Sequence, residues 1–187
     1  MRFALAFPGP ALRVAGVATV AIGLEWARVL ALRSPLLPAL TLLAGGLALC
    51  LLGIGRRPAD LGLGTARLAE RLVGGLALAG VLLLPAAVRW GVGPVIGPEL
   101  GVAAVAVSVG EEVAYRGVLF SELQQGFGSA AAVAGSTAAW TLAHALSHPP
   151  AFLPAVAAAG LLLAAWRWAA NDLVGPLVGH VLADLAL

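Results

Sequence analysis

Two adjacent glutamates and an arginine interrupt an otherwise apolar stretch, AVAVSVGEEVAYRGVLF, at residues 104–120. The half of this stretch that precedes the glutamates is typical of the interior of a membrane helix. A charged side chain at the centre of such a helix costs about 2.5–3.5 kcal/mol, so ionisable residues are kept there for pairing or for function. Glu111, Glu112 and Arg116 are therefore candidates for a polar site inside a membrane protein.

The spacing of these residues suggests different roles for the two glutamates. Residues four apart share one face of a helix, so Glu112 and Arg116 can form an ion pair. Glu111 lies about 100° round the helix from Glu112, and it is the carboxylate that this arginine neutralises less easily. Glu111 is therefore the candidate for chemistry, and Glu112 is the candidate structural partner of Arg116.

All three histidines of the chain, His144, His148 and His180, fall in its second half. His180 and Asp184 are four residues apart, so Asp184 can accept a hydrogen bond from one ring nitrogen and fix the tautomer. His148 directly precedes two prolines, and we expect it to be interfacial and non-essential. At about 1.5 Å per residue, Glu111 and His144 fall at similar depths, whereas His180 is expected to lie shallower.

The composition is that of a membrane protein. Of 187 residues, 61% are hydrophobic and 11% are charged, with a mean hydropathy of +1.00. Soluble domains are about 45–50% apolar and about 25% charged. We therefore predict an all-α, polytopic transmembrane helical bundle of about seven (about six to eight) helices in one compact domain, surrounded by the lipid bilayer. The basic residues are scattered, which argues against a nucleic-acid partner.

Pro, Gly and Arg residues divide the chain into seven apolar segments. These cover about 11–31, 36–54, 72–88, 100–122, 129–147, 151–168 and 173–187. The connector between the second and third segments carries four arginines, which predicts that it is cytoplasmic: Arg56, Arg57, Arg67 and Arg71.

Three further features outside the candidate site carry expectations about packing and charge. Small residues within the segments predict close contacts between helices. Glu25 and Arg28 are expected to form a local pair, and Glu122, near the cytoplasmic end of the fourth segment, is expected to be solvated. The glycines concerned are Gly45, Gly46, Gly74, Gly75, Gly80, Gly93, Gly97 and Gly101.

Three short motifs in the second half resemble those of the CPBP family, the CAAX proteases and bacteriocin-processing enzymes also called Abi proteins. EEVAYR (111–116) resembles the family's EExxxR motif. WTLAH (140–144) resembles FxxxH with Trp140 in place of Phe, and HVLAD (180–184) resembles HxxxN or HxxxD. The resemblance covers about 75–187 and divides the chain into N-terminal helices with a basic connector (1–70) and a CPBP-like core (71–187).

The resemblance implies an intramembrane glutamic endopeptidase that uses no cofactor and no metal. Glu111 would activate a water molecule with help from His144, and His180 with Asp184 would stabilise the oxyanion. Glu112 and Arg116 would support the site, as their spacing also suggests. Where the CAAX enzyme has Asn, this chain has Asp184. An ionised Asp184 cannot donate to an oxyanion, so we expect it to orient His180, which would then be the principal donor.

The implied substrate is a peptide or a membrane-anchored protein, cleaved near the cytoplasmic leaflet of a bacterial inner membrane. The motifs assign no oligomeric state. Two alternatives remain open at this point. His144, His148, Glu111 and His180 could bind zinc in a metal-dependent protease, although the chain has no HExxH motif. The chain could also be a non-catalytic scaffold, immunity factor or transport component, since polar residues in helical bundles can form relays.

Overall fold

A computed structural model describes residues 9–32, 38–90 and 98–186 of the chain. All seven predicted segments are present as helices, and these described ranges contain no strand. A π-helical segment, Glu112–Leu119, joins α4 to α5, so the predicted fourth segment is one continuous helix. The α-helices are α1 (Pro10–Leu32), α2 (Pro38–Cys50), α3 (Leu68–Trp90), α4 (Pro98–Glu111), α5 (Phe120–Phe127), α6 (Ser129–Ala143), α7 (Leu153–Ala170) and α8 (Val174–Ala186).

The helices pack mainly in three pairs: α2 runs against α4, α3 against α8, and α6 against α7. Helix α1 lies across this arrangement and contacts α2, α5 and α6. By length and composition, two helical stretches of the described residues could cross a membrane: Pro10–Leu32, which is α1, and Pro150–Ala170, which contains α7. Two other apolar helices, Pro38–Gly53 and Val174–Ala186, are shorter.

Glycines allow two of these helix pairs to approach closely. A Cβ atom on Gly46 of α2 would lie 2.6 Å from the backbone nitrogen of Val107 on α4. A Cβ atom on Gly75 of α3 would lie 2.6 Å from Cβ of Val178 on α8. The prediction of close packing is thus confirmed at Gly46 and Gly75. It is wrong at Gly80, which has no neighbour within 4 Å of that position, and Gly93 and Gly97 lie outside the described residues.

The contact at Gly46 yields a stability prediction. Gly46→Ala should destabilise the protein by about 1–3 kcal/mol, because the new methyl group meets rigid backbone that cannot move aside. Gly80→Ala is the matched control, since it lies in a helix with open space around it and gains up to about 1 kcal/mol in helix propensity. Thermal unfolding in detergent compares the two variants. Equal melting temperatures would contradict the close approach of α2 and α4.

The expectation that Glu122 is solvated is wrong. Its carboxylate is buried and accepts hydrogen bonds from Arg13 Nε at 2.8 Å and from Arg56 Nη1 at 2.5 Å. Because these two arginines belong to α1 and to the connector after α2, Glu122 ties three parts of the chain together. A charge that looks exposed from its position near a helix end is buried here by long-range packing.

Candidate active site

The EEVAYR residues lie where α4 changes into the π-helical segment. An α-helix would use the carbonyl of Arg116 to accept the N–H of Phe120, four residues later. Instead, Phe120 N–H bonds to Gly117 O and Tyr115 O, and Arg167 Nε donates to Arg116 O at 3.2 Å. The buried Arg167 of α7 thus takes the place of one helical hydrogen bond. Such π segments occur often at functional sites.

The predicted pair between Glu112 and Arg116 is confirmed. Arg116 Nη1 donates to Glu112 Oε1 at 3.0 Å, and both side chains are fully buried. The same oxygen of Glu112 also lies 2.9 Å from Nδ1 of His180. An ionised carboxylate can only accept, so Nδ1 carries the hydrogen in this contact. Glu112 therefore joins the first motif to the last one, a role that its spacing did not suggest.

His180 lies at the level of the two glutamates, so the expectation of a shallower position is wrong. The reason is that α8 begins inside the protein. Asp172 caps it by accepting the N–H groups of Val174 and Gly175, each at 2.9 Å. Leu173 is fully buried, and its N–H donates to Gly62 O of the connector at 3.0 Å. Counting residues from the start of the segment therefore underestimates its depth.

Asp184 does not fix the tautomer of His180 in the way the spacing predicts. The hydrogen on Nδ1 points to Glu112, and Asp184 Oδ2 lies 3.5 Å from the other ring nitrogen, Nε2. The hydroxyl of Ser108, on α4, donates to the same oxygen of Asp184 at 2.7 Å. His180 is thus flanked by carboxylates on both of its nitrogens, and Glu112 is the one that orients the ring.

Glu111 and His144 come together as the sequence predicts. Nε2 of His144 lies 3.7 Å from Glu111 Oε2, and the Glu111 side chain is buried. Nδ1 of His144 lies 2.9 Å from the carbonyl oxygen of Trp140. A carbonyl can only accept, so Nδ1 carries the hydrogen, and in the neutral form of the ring Nε2 presents its lone pair toward Glu111. Nε2 of His144 can then accept a hydrogen bond from a group that also contacts the Glu111 carboxylate.

Trp140 contacts most members of the site, which its place in the second motif did not indicate. Its Nε1–H donates to Glu111 Oε2 at 2.7 Å. Its ring lies 4.5 Å from the ring of His144 and 5.7 Å from that of His180, and the Arg116 guanidinium sits 4.3 Å from its centre. Phe, the usual residue of this motif, has no donor. The only sign of this role in the sequence was the presence of Trp140 at a position where the motif usually has Phe.

We expect Trp140→Phe to lower kcat/KM about tenfold, because Glu111 loses a hydrogen bond worth about 1.5 kcal/mol or more while the aromatic packing is kept. Trp166→Phe makes the same change at an indole that donates to Asp172 instead, so it controls for the loss of ring volume. Steady-state cleavage rates and melting temperatures of both variants are to be compared. Equal losses of activity in the two variants would contradict a specific role for the Trp140 N–H.

Glu25 and Arg28 of α1 form the predicted local pair, but the pair lies at the candidate site. Arg28 Nε donates to Glu25 Oε2 at 3.2 Å, and its Nη2 bonds to the same oxygen. Nη2 also lies 3.5 Å from Glu111 Oε1. Sequence reasoning missed this contact, because two charges in the first segment carry no information about which later segment they face.

His148 is half-buried next to His144, and the two rings stack with centres 5.5 Å apart and planes within 6°. The ring of Phe152 follows at 5.2 Å. Across the three ranges that the structure describes, no group of three or more His, Cys, Asp and Glu side chains is arranged to hold a metal ion. The four residues considered for zinc therefore do not form such a group there.

A comparison with models of protein families gives a match for the second half of the chain. The family model described as Type II CAAX prenyl endopeptidase Rce1-like matches residues 93–186. Neither the curated proteins nor the solved structures contain a match to this chain. The matched residues include the three motifs and leave out α1, with Glu25 and Arg28. The chain therefore belongs to the Rce1-like family of type II CAAX endopeptidases, which are membrane-embedded proteases.

Proposed function

We propose that the protein is an intramembrane endopeptidase in which Glu111 activates a water molecule to hydrolyse a peptide bond. The observation that carries this proposal is the approach of Glu111 Oε2 to His144 Nε2, 3.7 Å apart within a buried site. The two atoms are close enough for one water oxygen to lie within about 2.8 Å of each. Both belong to residues of the family's motifs, and the family consists of proteases.

The proposed reaction needs a base and a donor. Glu111 takes a proton from the water, whose oxygen attacks the peptide carbonyl carbon while His144 holds the water through its Nε2 lone pair. The C–N bond of the tetrahedral intermediate then breaks. Glu111 returns its proton to the departing amine nitrogen, which leaves the carboxylate ready for another cycle.

His180 is the proposed donor to the oxyanion. Its Nδ1–H is directed to Glu112, so the imidazolium form of the ring has one remaining donor, the Nε2–H. A donor held in place before the reaction stabilises developing negative charge more than a mobile one does. Asp184 lies 3.5 Å from Nε2 and, together with Glu112, balances the positive charge of the ring.

We further propose a polytopic arrangement with the basic connector on the cytoplasmic side, as in the positive-inside rule. Support comes from Glu122, which binds Arg13 near the start of α1 and Arg56 of the connector. These segments can then share one membrane face, from which Glu111 would lie about 16 Å away at the helical rise. The proposed substrate is a peptide or membrane-anchored protein at the cytoplasmic leaflet of a bacterial inner membrane.

The test is a cleavage assay with wild type and Glu111→Gln in detergent, using lipidated and membrane-anchored peptides with and without a strong chelator. Cleavage that survives chelation and disappears in the variant supports the proposal. Cleavage that chelation abolishes and zinc restores would favour the metal-dependent alternative. A Glu111→Gln protein that keeps its full function in cells would favour a non-catalytic role.

A further inference from the structure

The Glu25–Arg28 pair belongs to a helix that the family model does not cover, yet it reaches the catalytic carboxylate. Arg28 Nη2 lies 3.5 Å from Glu111 Oε1, on the carboxylate oxygen opposite to the one that faces Trp140 and His144. Glu25 and Arg28 are both nearly excluded from solvent. Ion pairs that are shielded from water are screened far less than exposed ones.

The surroundings of Arg28 are built to hold it in this position. Glu25 Oε2 accepts hydrogen bonds from both Nε and Nη2 of Arg28, which fixes the plane of the guanidinium. Gly45 of α2 makes room for the side chain, since a Cβ atom there would lie 2.6 Å from Arg28 Cδ. On the same helix as Arg28, Trp26 Nε1 donates to Leu142 O at 3.2 Å, which attaches α1 to α6 beside the site.

Charged groups face Glu111 from α1, α6, α8 and its own helix, whereas α2, which also packs against α4, carries no charged side chain. Helix α6 contributes His144, and its own helix contributes Glu112 with Arg116, but Arg116 is directed to Glu112. Helix α1 contributes Glu25 and Arg28, and α8 contributes His180 and Asp184. Among the described residues, Arg28 is the guanidinium that pairs with Glu111 directly.

We propose that Arg28 is a positioning residue for the reaction: held by Glu25, its guanidinium binds Glu111 Oε1, favours the ionised carboxylate and leaves Oε2 directed at His144. This inference rests on the proposed function, because it takes Glu111 to be the base. It adds a contribution from α1 to a site whose other members all come from the part of the chain that matches the family.

The test compares Arg28→Gln, Arg28→Lys and Gly45→Ala. In Arg28→Gln, the acidic limb of the pH profile of kcat should move to higher pH by about one to three pH units. The reason is that an adjacent positive charge favours the ionised form of a carboxyl group, and this variant removes it. KM should change little. Arg28→Lys should show a smaller shift than Arg28→Gln, because lysine keeps the positive charge but lacks the bidentate geometry of the guanidinium. Gly45→Ala keeps every charge but displaces Arg28, so it should shift the limb in the same direction.

Arg67→Gln is the control, because Arg67 also pairs with a glutamate three residues away, Glu70, but on the exposed surface. A second readout needs no substrate: a hydrophobic carbodiimide modifies protonated carboxyl groups, and mass spectrometry follows the modification of Glu111 against pH. The pH at which Glu111 is half modified should move to higher values in Arg28→Gln and Gly45→Ala, and it should stay unchanged in Arg67→Gln.

The two readouts separate this inference from the proposed function. Arg28→Gln that loses activity equally at all pH values, with an unchanged midpoint for Glu111, would overturn the positioning role and leave a structural one. Cleavage that persists in Glu111→Gln would overturn the proposed function instead, while the carbodiimide midpoint still reports whether Arg28 pairs with Glu111.

Discussion

Glu111→Gln is expected to reduce kcat for peptide cleavage by about a thousandfold, within the range of about 10²–10⁴ typical for the loss of a general base. Glutamine has the shape of glutamate and keeps an oxygen that can accept the N–H of Trp140, which lies 2.7 Å from Oε2. It cannot take a proton from water. The folded structure should therefore survive while the chemical step fails, and the measurement is kcat together with the melting temperature in detergent.

Two further variants serve as controls for the Glu111→Gln measurement. Glu99→Gln makes the same substitution in the first turn of the same helix, at an exposed residue, and should leave kcat unchanged. Glu111→Asp keeps a carboxylate but withdraws it by one methylene group from His144, so its activity should fall between that of wild type and Glu111→Gln. Wild-type kcat in Glu111→Gln, on a substrate that the wild type cleaves, would refute the role of Glu111 as base.

Arg116→Met is expected to have the largest effect on stability, a loss of about 3–5 kcal/mol, because it removes the guanidinium that pairs with the buried carboxylate of Glu112, which then keeps its contact with His180 but loses the arginine charge. Methionine fills much of the same volume, so the change mainly removes charge. The substitution also removes the donor to Gly160 O at 3.3 Å and the cation above the Trp140 ring. For a chain of this size, the melting temperature should fall by roughly 10 °C.

A double variant tests the cause of that loss of stability. Adding Glu112→Gln to Arg116→Met removes the buried carboxylate that has lost its arginine, so the double variant should be more stable than Arg116→Met alone. The double variant should nevertheless cleave substrate more slowly than the wild type, because a neutral amide cannot hold His180 as the Glu112 carboxylate does. Arg67→Met breaks an exposed pair with Glu70 and should cost no more than about 1 kcal/mol. If Arg116→Met melts at the temperature of Arg67→Met, the buried pair is not important for stability.

The sequence by itself determined the helices and the local part of the site. Hydrophobic runs between Pro, Gly and Arg residues located all seven segments, because helix formation in an apolar chain depends on composition over neighbouring residues. The pair of Glu112 and Arg116 could be predicted for the same reason, since four residues along a helix define a contact. The motifs also selected Glu111 and His144, which the structure brings within 3.7 Å.

Only the tertiary structure decided how the site is connected. The contacts of Glu112 with His180, of Trp140 with Glu111, and of Arg28 with Glu111 join residues on different helices. Spacing along the chain cannot predict such contacts, because they depend on how closely the helices approach and on where each begins. Gly46 and Gly110 let α2 meet α4, and the buried start of α8 brings His180 to the depth of the glutamates. The π-helical segment likewise depends on Arg167, whose side chain reaches Arg116 O from α7.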